Sequence, residues 1–356
     1  MPETKTEEMK MKKILAILCA LCMVFALCAC GQSAVPAATA APAASAEPSA
    51  EAAPAAETEP AADAQSFTVG ICQLLQHEAL DRASQGFTDT LKEKLGDQVD
   101  INWQNGSGDQ SSCSVIANQF VSDEVDLILA NATPALAASA AATNEIPVLG
   151  TSITSYAAVW ELDNWDARST QLNVSGTSDL APLDEQAAML NSFFPDAKTV
   201  GILYCSAEAN SKFQVEAITP FLENYGYTVT AYSFSDSNDV ASVTSTAVGE
   251  CEVLYIPTDN TAASCAETIN NIALPAGVPI IAGESGLCKG CGIATLSIDY
   301  YALGCTTGEM AYEILVNGAD PATMEIEYAP EFTKMYNAEL CEALNITVPD
   351  DYIAIE

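Results

Sequence analysis

The sequence predicts an α/β fold: two doubly wound lobes, each a parallel sheet covered by helices on both faces. Past residue 66, short apolar runs of four to six residues alternate with stretches that are apolar at helical spacing. The runs are near-continuous rather than alternating in polarity, as strands buried on both faces are. The order then starts again after about residue 176 of the 356, a length that accommodates two domains at ~100–200 residues each.

The elements follow in order. The run 67–72 reads as the first strand, and Leu80, Ala83, Phe87, Leu91 and Leu95 form one stripe of a helix over 80–95. Residues 99–103 read as strand, 113–121 as helix, 125–130 as strand, 133–142 as an Ala-rich helix and 146–149 as strand. In the second half, a helix over 183–194 leads to strand 199–204, helix 208–225 and strand 227–233. A helix near 240–248, strand 253–256, helix 259–272 and strand 278–281 complete the alternation.

The N-terminus has a different character. Lys10, Lys12 and Lys13 precede an apolar run over 14–27. That length is short for a ~30 Å hydrocarbon layer but suits the apolar region of a signal peptide. The following Leu27-Cys28-Ala29-Cys30-Gly31 resembles a bacterial lipobox, which implies cleavage before Cys30 and acylation of its sulfur (diacylglyceryl, with palmitate among the chains). Two acyl chains anchor stably where one does not. From 33 to 65 the chain is mostly Ala, Pro, Glu and Ser with no Ile, Leu, Phe, Tyr or Trp, so no core can form and a disordered tether is expected. The expectation is a signal peptide over 1–29, a lipidated Cys and tether over 30–65, and a globule at the extracytoplasmic face of a cell membrane.

Twelve Lys and Arg stand against 48 Asp and Glu, a net charge of −36. Nucleic acid is excluded as a partner, because so few bases against so many acids leave no basic footprint to neutralise phosphates, and a broad grip on anionic lipid is disfavoured. His77 is the sole histidine, which excludes designs needing two imidazoles and His-rich zinc sites; no metal or cofactor is expected. Cys288-Lys289-Gly290-Cys291 lacks the second pair of a four-thiolate site, so it reads as free thiols or a solvent-facing local disulfide. Cys72, Cys113, Cys205, Cys251, Cys265, Cys305 and Cys341 read as small core hydrophobes.

In a parallel sheet, ligand-facing residues collect just beyond the carboxyl ends of the strands. Those tips carry Gln73, His77, Asn131, Thr133, Thr151 and Ser152 in the first lobe. In the second they carry Ser206, Glu208, Asn210, Ser211, Thr258, Asp259, Asn260, Glu284 and Ser285. These tips are polar and nearly free of Lys and Arg, while the strands behind them are apolar. Each residue also has a structural alternative: an Asp opening a helix, as Asp259 does, is a good N-cap, and a lone His is often a hydrogen-bonded structural residue.

Several blocks carry a family resemblance. Gly70-Ile71-Cys72-Gln73, His77-Glu78-Ala79-Leu80-Asp81, Gln104-Asn105 and Gly108-Asp109-Gln110 are similar to the first lobe of bacterial ABC-transporter substrate-binding lipoproteins. The match continues through Ala132-Thr133-Pro134-Ala135, Tyr204 with the block 206–211, Pro257-Thr258-Asp259-Asn260 and Ile298-Asp299-Tyr300-Tyr301. It spans 66–325, and within the group it resembles the branch associated with tryptophan and tyrosine uptake. The segment 160–165 matches no clear pattern of the group. The resemblance implies the type I periplasmic-binding-protein fold, with three hinge crossings near Gly176, 296–299 and Met324. Lobe 1 would then be 66–175 plus 299–323 and lobe 2 176–298 plus 324–356, with Asp299 joining the candidate site.

The implied function is a monomeric, non-enzymatic receptor that captures a small solute, an amino acid and by preference an aromatic one, for an ABC permease. For such a ligand, Asp259 is the first candidate to accept from the ammonium, with Glu208 and Glu284 behind it. Helix N-termini at 133–135 and 206–208, with Thr133, Ser206, Asn210 and Ser211, would donate to the carboxylate. Leu74, Leu75 and Tyr156 are candidates to face the ring. Two alternatives stand beside this: a sugar or nucleoside receptor on the same fold, and a lipid-anchored enzyme using Asp259 and Glu208 as an acid/base pair, which needs a carboxyl pKa raised towards neutrality.

Overall fold

The computed structural model describes residues 66–160, 170 and 172–355; the expected signal peptide, Cys30 and the tether lie outside them. The first lobe runs β1 (Phe67–Gln73), α1 (Glu78–Leu95), β2 (Val99–Asn105), α2 (Gln110–Ser122), β3 (Leu127–Asn131), α3 (Thr133–Ala142), β4 (Val148–Ile153), the short α4 (Tyr156–Val159) and β5 (Val174–Ser178). The second runs α5 (Leu183–Phe193), β6 (Thr199–Cys205), α6 (Ala209–Asn224), β7 (Thr228–Phe234), α7 (Val240–Glu250), β8 (Val253–Ile256), α8 (Asn260–Ser264), α9 (Ala266–Ala276), β9 (Ile280–Ala282), α10 (Ser285–Cys291) and β10 (Ala294–Ser297). The chain then returns to the first lobe with α11 (Tyr300–Asn317) and β11 (Glu327–Tyr328), and ends in the second with β12 (Thr333–Tyr336), α12 (Ala338–Ala343) and β13 (Ile353–Ala354).

Two sheets result, in the orders β11-β5-β4-β3-β1-β2 and β13-β12-β10-β9-β8-β6-β7. Every neighbouring pair is parallel except β10 with β12. The chain leaves the first sheet after Ser178 and again after Tyr328, so Gly176 lies inside β5 and Met324 lies ahead of β11.

Period-2 burial explains the layering. In the first lobe Cys72, Ile128 and Val148 face one cluster, while Val69, Ile71, Leu127, Leu129 and Leu149 face the other. The predicted α1 stripe is buried along its length, from Leu80 through Ala83, Phe87 and Leu91 to Leu95. Gly96, at φ 57°, ends the helix, and Lys92 and Lys94 sit in its last turn, where they oppose the negative end of the dipole. Asp109 caps α2 by accepting from Ser111 N and Ser112 N at 3.2 and 3.0 Å.

Some elements differ from the sequence expectation. The predicted helix 259–272 is two helices, α8 and α9. Strands β5 and β10 form where none was expected. The Cys288–Cys291 motif lies inside α10 with both thiols buried, not solvent-facing, because α10 packs onto the second sheet. Cys265 and Cys305 are half-buried rather than core.

Helix α11 joins the first lobe by packing along α1 with almost no space between the backbones. A Cβ at Gly304 would stand 2.0 Å from the Ala83 carbonyl oxygen, and one at Gly86 would stand 2.1 Å from that of Tyr301. Gly249, in α7, would meet nothing within 4 Å. Replacing a helical Gly by Ala gains about 0.5–1 kcal/mol in propensity, but overpacking against backbone costs about 1–3 kcal/mol. Denaturant titration should therefore find Gly304→Ala destabilised and Gly249→Ala stabilised by about 0.5–1 kcal/mol; a stabilised Gly304→Ala would contradict the close crossing.

Candidate ligand-binding cleft

The carboxyl ends of both sheets face each other, and a cleft of ≈ 690 Å³ lies between them. The first lobe lines it with Leu74, Leu75, Gln76, Asn105, Pro134 and residues 107–110. The second contributes Cys205, Ala207, Glu208, residues 235–238, Thr261 and Ser264. No Lys or Arg is in this lining. Glu208 is the one candidate site residue on its surface, and most of the others are buried around it. The tips of β2 and β7, at 105–110 and 235–238, were not among the site candidates, although the rule of carboxyl ends applies to them equally.

The acids of the second lobe are held by helix N-terminal amides. Glu208 accepts from Asn260 N and Nδ2 at 3.2 and 2.6 Å, from Thr261 N and Oγ at 2.9 and 2.7 Å, and from Asn210 Nδ2 at 3.1 Å. Asp259 accepts from Ala262 N at 2.8 Å as the cap of α8, and from Cys205 N at 2.6 Å at the end of β6. Burial, then the nearby Glu208, raises the Asp259 carboxyl to about 7. That is the value the acid/base alternative requires. Both Asp259 oxygens nevertheless accept from backbone N–H groups, and Glu208 binds the same α8 turn, so the pair is built as a clamp. The first candidate for the ligand ammonium is thus also the N-cap of α8.

Glu284 caps α10, accepting from Gly286 N and Leu287 N at 2.6 and 2.5 Å. Burial raises its carboxyl to about 7, helped by Glu78 and Asp179. Asp179 follows β5 where the chain first leaves the first sheet, and its position was not anticipated. It accepts from Thr154 Oγ at 3.1 Å and from Tyr300 Oη at 2.9 Å. Burial raises it to about 6, partly offset by those two bonds. Among the described residues, no ion pair involves Asp179 or Glu284. Tyr300 opens α11.

First-lobe candidates divide into satisfied and unsatisfied groups. Gln73 donates to Leu75 O and Asp81 and accepts from Ser84, at 2.8, 2.6 and 2.7 Å. Asn131 donates to Leu80 O at 2.8 Å and Ser84 at 2.9 Å, and Thr151 accepts from Thr177 at 3.3 Å. Thr133 Oγ, Ser152 Oγ, His77 Nδ1 and the Asn131 Oδ1 left over from its two donated bonds are buried with no hydrogen bond within the protein, as is Asn210 Oδ1 across the cleft. Ser152 holds φ 56°, a left-handed conformation uncommon outside Gly, Asn and Asp.

The remaining candidates are peripheral or local. Asn210 also donates to Ser211 and Thr258 O, at 3.3 and 3.2 Å. Ser206 bonds Phe234 O through both N and Oγ, at 2.8 and 3.0 Å. Ser285 N donates to Ser297 at 3.1 Å. Asp299 is exposed and caps α11 through Tyr301 N and Ala302 N; it lines a separate ≈ 260 Å³ pocket with Thr177 and Tyr328. Leu74 and Leu75 reach the cleft, whereas Tyr156 is core, its hydroxyl against the carbonyls of Gly150, Ser175 and Thr177.

The lobes touch across the cleft. His77 Nε2 meets Asn260 Oδ1 at 3.2 Å, and Lys289 pairs with Glu78 at 3.6 Å. Burial lowers the His77 pKa below its usual value, so the ring is neutral at pH 7.

The profile of the ABC transporter substrate binding protein family matches residues 68–355. A tyrosine-binding protein of Clostridioides difficile is 34% identical over 281 residues, 78% of this chain and 81% of that protein. A Streptococcus pneumoniae ABC domain in complex with L-Trp is 31% identical with TM-score 0.76, over 80% of this chain and 97% of that one. A ligand-free, open substrate-binding protein with adhesive properties from Clostridium difficile is 35% identical over 82% and 99% of the two chains, yet has a TM-score of 0.61. The more similar sequence is the poorer structural match, so the lobes here lie nearer to the arrangement of the L-Trp complex. The match over nearly the whole globule, together with the paired sheets and the cleft between them, places this chain in the ABC transporter substrate-binding protein family.

Proposed function

We propose that this substrate-binding protein captures a free amino acid, by preference an aromatic one, between its lobes and delivers it to an ABC permease. Such a protein acts on the extracytoplasmic side of the membrane. The observation that carries the ligand class is the pair of buried carboxylates, Asp179 and Glu284, with Asp179 close enough to add to the charge cost of Glu284, and neither in an ion pair among the described residues. An α-ammonium supplies that cation. The Thr133 and Ser152 hydroxyls, buried and unbonded, supply unused donors for the ligand carboxylate. The relatives named for tyrosine and solved with L-Trp support an aromatic side chain. The protein acts as a monomer, and acylated Cys30 tethers it to the membrane. No helix among the described residues is long and apolar enough to cross one.

Calorimetry against the twenty amino acids, common sugars and nucleosides tests this reading, with tyrosine or tryptophan expected to bind. Binding confined to sugars or nucleosides would overturn it. Asp179→Asn should weaken amino-acid binding by roughly 10- to 100-fold, the worth of a charged hydrogen bond, while Asp299→Asn should leave it unchanged.

The raised carboxyls fix the sign of the pH response. Their folded pKa values, about 6 and 7, exceed the unfolded values near ~4. In the ligand-free protein, these groups therefore cost no stability below pH ~4 and their full cost above pH ~7. A cationic ligand needs them ionised, so affinity rises with pH over the same window. Titrations should find binding at least about tenfold weaker at pH 5 than at pH 8; a flat profile would remove Asp179 and Glu284 from the site. Separately, Cys30→Ala should move the protein from the membrane fraction to the soluble fraction, and unchanged membrane retention would contradict the anchor.

A further inference from the structure

The buried polar groups at the strand tips do not balance. His77 Nδ1, Asn131 Oδ1 and Asn210 Oδ1 are all buried with no partner within the protein. The two amides have already committed their N–H groups, Asn131 to Leu80 O and Ser84, and Asn210 to Glu208, Ser211 and Thr258 O. What they have left can only accept. A ligand carboxylate can use the Thr133 and Ser152 hydroxyls, but it has nothing to give to an acceptor. A buried acceptor without a donor carries its full desolvation cost, so this excess calls for a donor from outside the chain.

The geometry around His77 fixes which kind of atom Nδ1 is. His77 precedes α1 on the first lobe, and its Nε2 lies 3.2 Å from Asn260 Oδ1, at the start of α8 on the second. The orientation of the Asn260 amide is set from the other side, because its Nδ2 meets Glu208 at 2.6 Å and a carboxylate oxygen accepts. The amide oxygen is therefore the atom that faces His77. It too can only accept, so Nε2 carries the proton. A second proton on Nδ1 would bury a charged N–H without a partner, and burial holds the ring neutral despite Glu208, Asp81 and Glu78 nearby. Nδ1 is left as a bare acceptor.

His77 also stands between the buried acids and the open cleft. On one side its neighbour Glu78 adjoins Glu284: a Cβ at Gly286 would stand 3.1 Å from Glu78 Cβ and 3.2 Å from Glu284 Oε2. On the other, Gln76, Leu74, Leu75, Glu208 and Thr261 line the open space, which neither Asp179 nor Glu284 reaches. An amino acid held by its ammonium at those acids extends its side chain into this space. We propose, on the amino-acid reading of the cleft, that His77 Nδ1 is a specificity-determining acceptor: it takes the phenol O–H of tyrosine or the indole N–H of tryptophan and selects them against phenylalanine. An analogue lacking the donor leaves the buried nitrogen unpaired, which is how such sites discriminate steeply. The selection belongs to the closed arrangement. In separated lobes His77 loses Asn260, and either nitrogen can hold the proton.

Calorimetry on the full chain with two matched pairs tests this: tyrosine against phenylalanine, and tryptophan against benzothienylalanine, in which sulfur replaces the indole N–H. The wild type should prefer the donor-bearing member of at least one pair by about tenfold or more. His77→Ala should remove most of that preference, and His77→Asn, which restores an amide acceptor, should recover part of it. Equal affinities within both wild-type pairs would overturn the proposal, and so would a preference that survives in His77→Ala, which would mean that Nδ1 meets only water. Failure of all four to bind would instead sink the amino-acid reading, and this assignment with it. A second measurement needs no variant. His77 is the only histidine, so nitrogen-15 NMR of the histidine-labelled, tag-free chain reads this one ring. In the complex with tyrosine or tryptophan, Nε2 should be protonated and Nδ1 bare, with the Nδ1 resonance upfield of its position in the phenylalanine complex. A proton on Nδ1, or the same Nδ1 resonance in every complex, would overturn the assignment.

Discussion

The structure depends on how an acid-rich chain buries carboxylates between its lobes without cations to pair them. With 12 bases against 48 acids, the charges are held instead by amides at helix starts. Asp259, Glu284 and Asp109 each cap a helix with their own side chain, and Glu208 binds the first turn of α8 from a neighbouring loop. Amides at an N-terminus carry partial positive charge and are otherwise unpaired, so the same bonds that end the helices' unmet demand stabilise the acids. The compensation is incomplete. Asp259, Glu284 and Asp179 all remain raised towards neutrality, and this residual cost is what a bound cation would relieve.

The same arrangement bears on closure. The contacts that join the lobes across the cleft are modest: one His77–Asn260 hydrogen bond and one Lys289–Glu78 pair whose side chains are 48% and 52% exposed. An ion pair that exposed contributes under about 1 kcal/mol. Against it stands the mutual repulsion of Glu284 with Glu78 and Asp179. On the proposed reading, the ligand changes this balance by binding the closed arrangement better than the open one, which is the only way a ligand can shift such an equilibrium. Tyr300 links the two sides of that balance, because it opens the returning helix α11 while donating to Asp179 at the first crossing.

The apolar periodicity made the helix-and-strand alternation legible. The α1 stripe, the capped helix starts and the parallel order all follow from it, and so does the grouping of polar residues at the strand ends. β5 was not legible, because Val174-Ser175-Gly176-Thr177-Ser178 carries one apolar side chain. Its burial is enforced from outside by the Tyr156 hydroxyl, by Thr307 and by Met324 O. Missing β5 meant missing Asp179 beyond its end. Similarly, Asp259 reads the same in sequence whether it caps a helix or meets a ligand; only the second amide, from Cys205 at the end of β6, shows how much of its capacity is already used.

Charge also discriminates between the ligand classes that this architecture serves. The cleft lining has three acids, Asp109, Glu208 and Asp236, and no Lys or Arg, so an anionic ligand would meet repulsion from both lobes. A sugar would bring hydroxyl donors but no charge, leaving Asp179 and Glu284 at the same raised pKa values with their desolvation unrelieved. A free amino acid brings one localised cation for those carboxylates and one anion for the hydroxyls and amides on the opposite tips. Burying that zwitterion is favourable only where both ends are met, since an unpaired buried charge costs more than the pair gains. The buried, unbonded Thr133 and Ser152 hydroxyls on one lobe and the buried acids at the hinge and second lobe divide the two demands between opposite walls. A solute with both charges a few bonds apart is therefore the class that satisfies this cleft most completely.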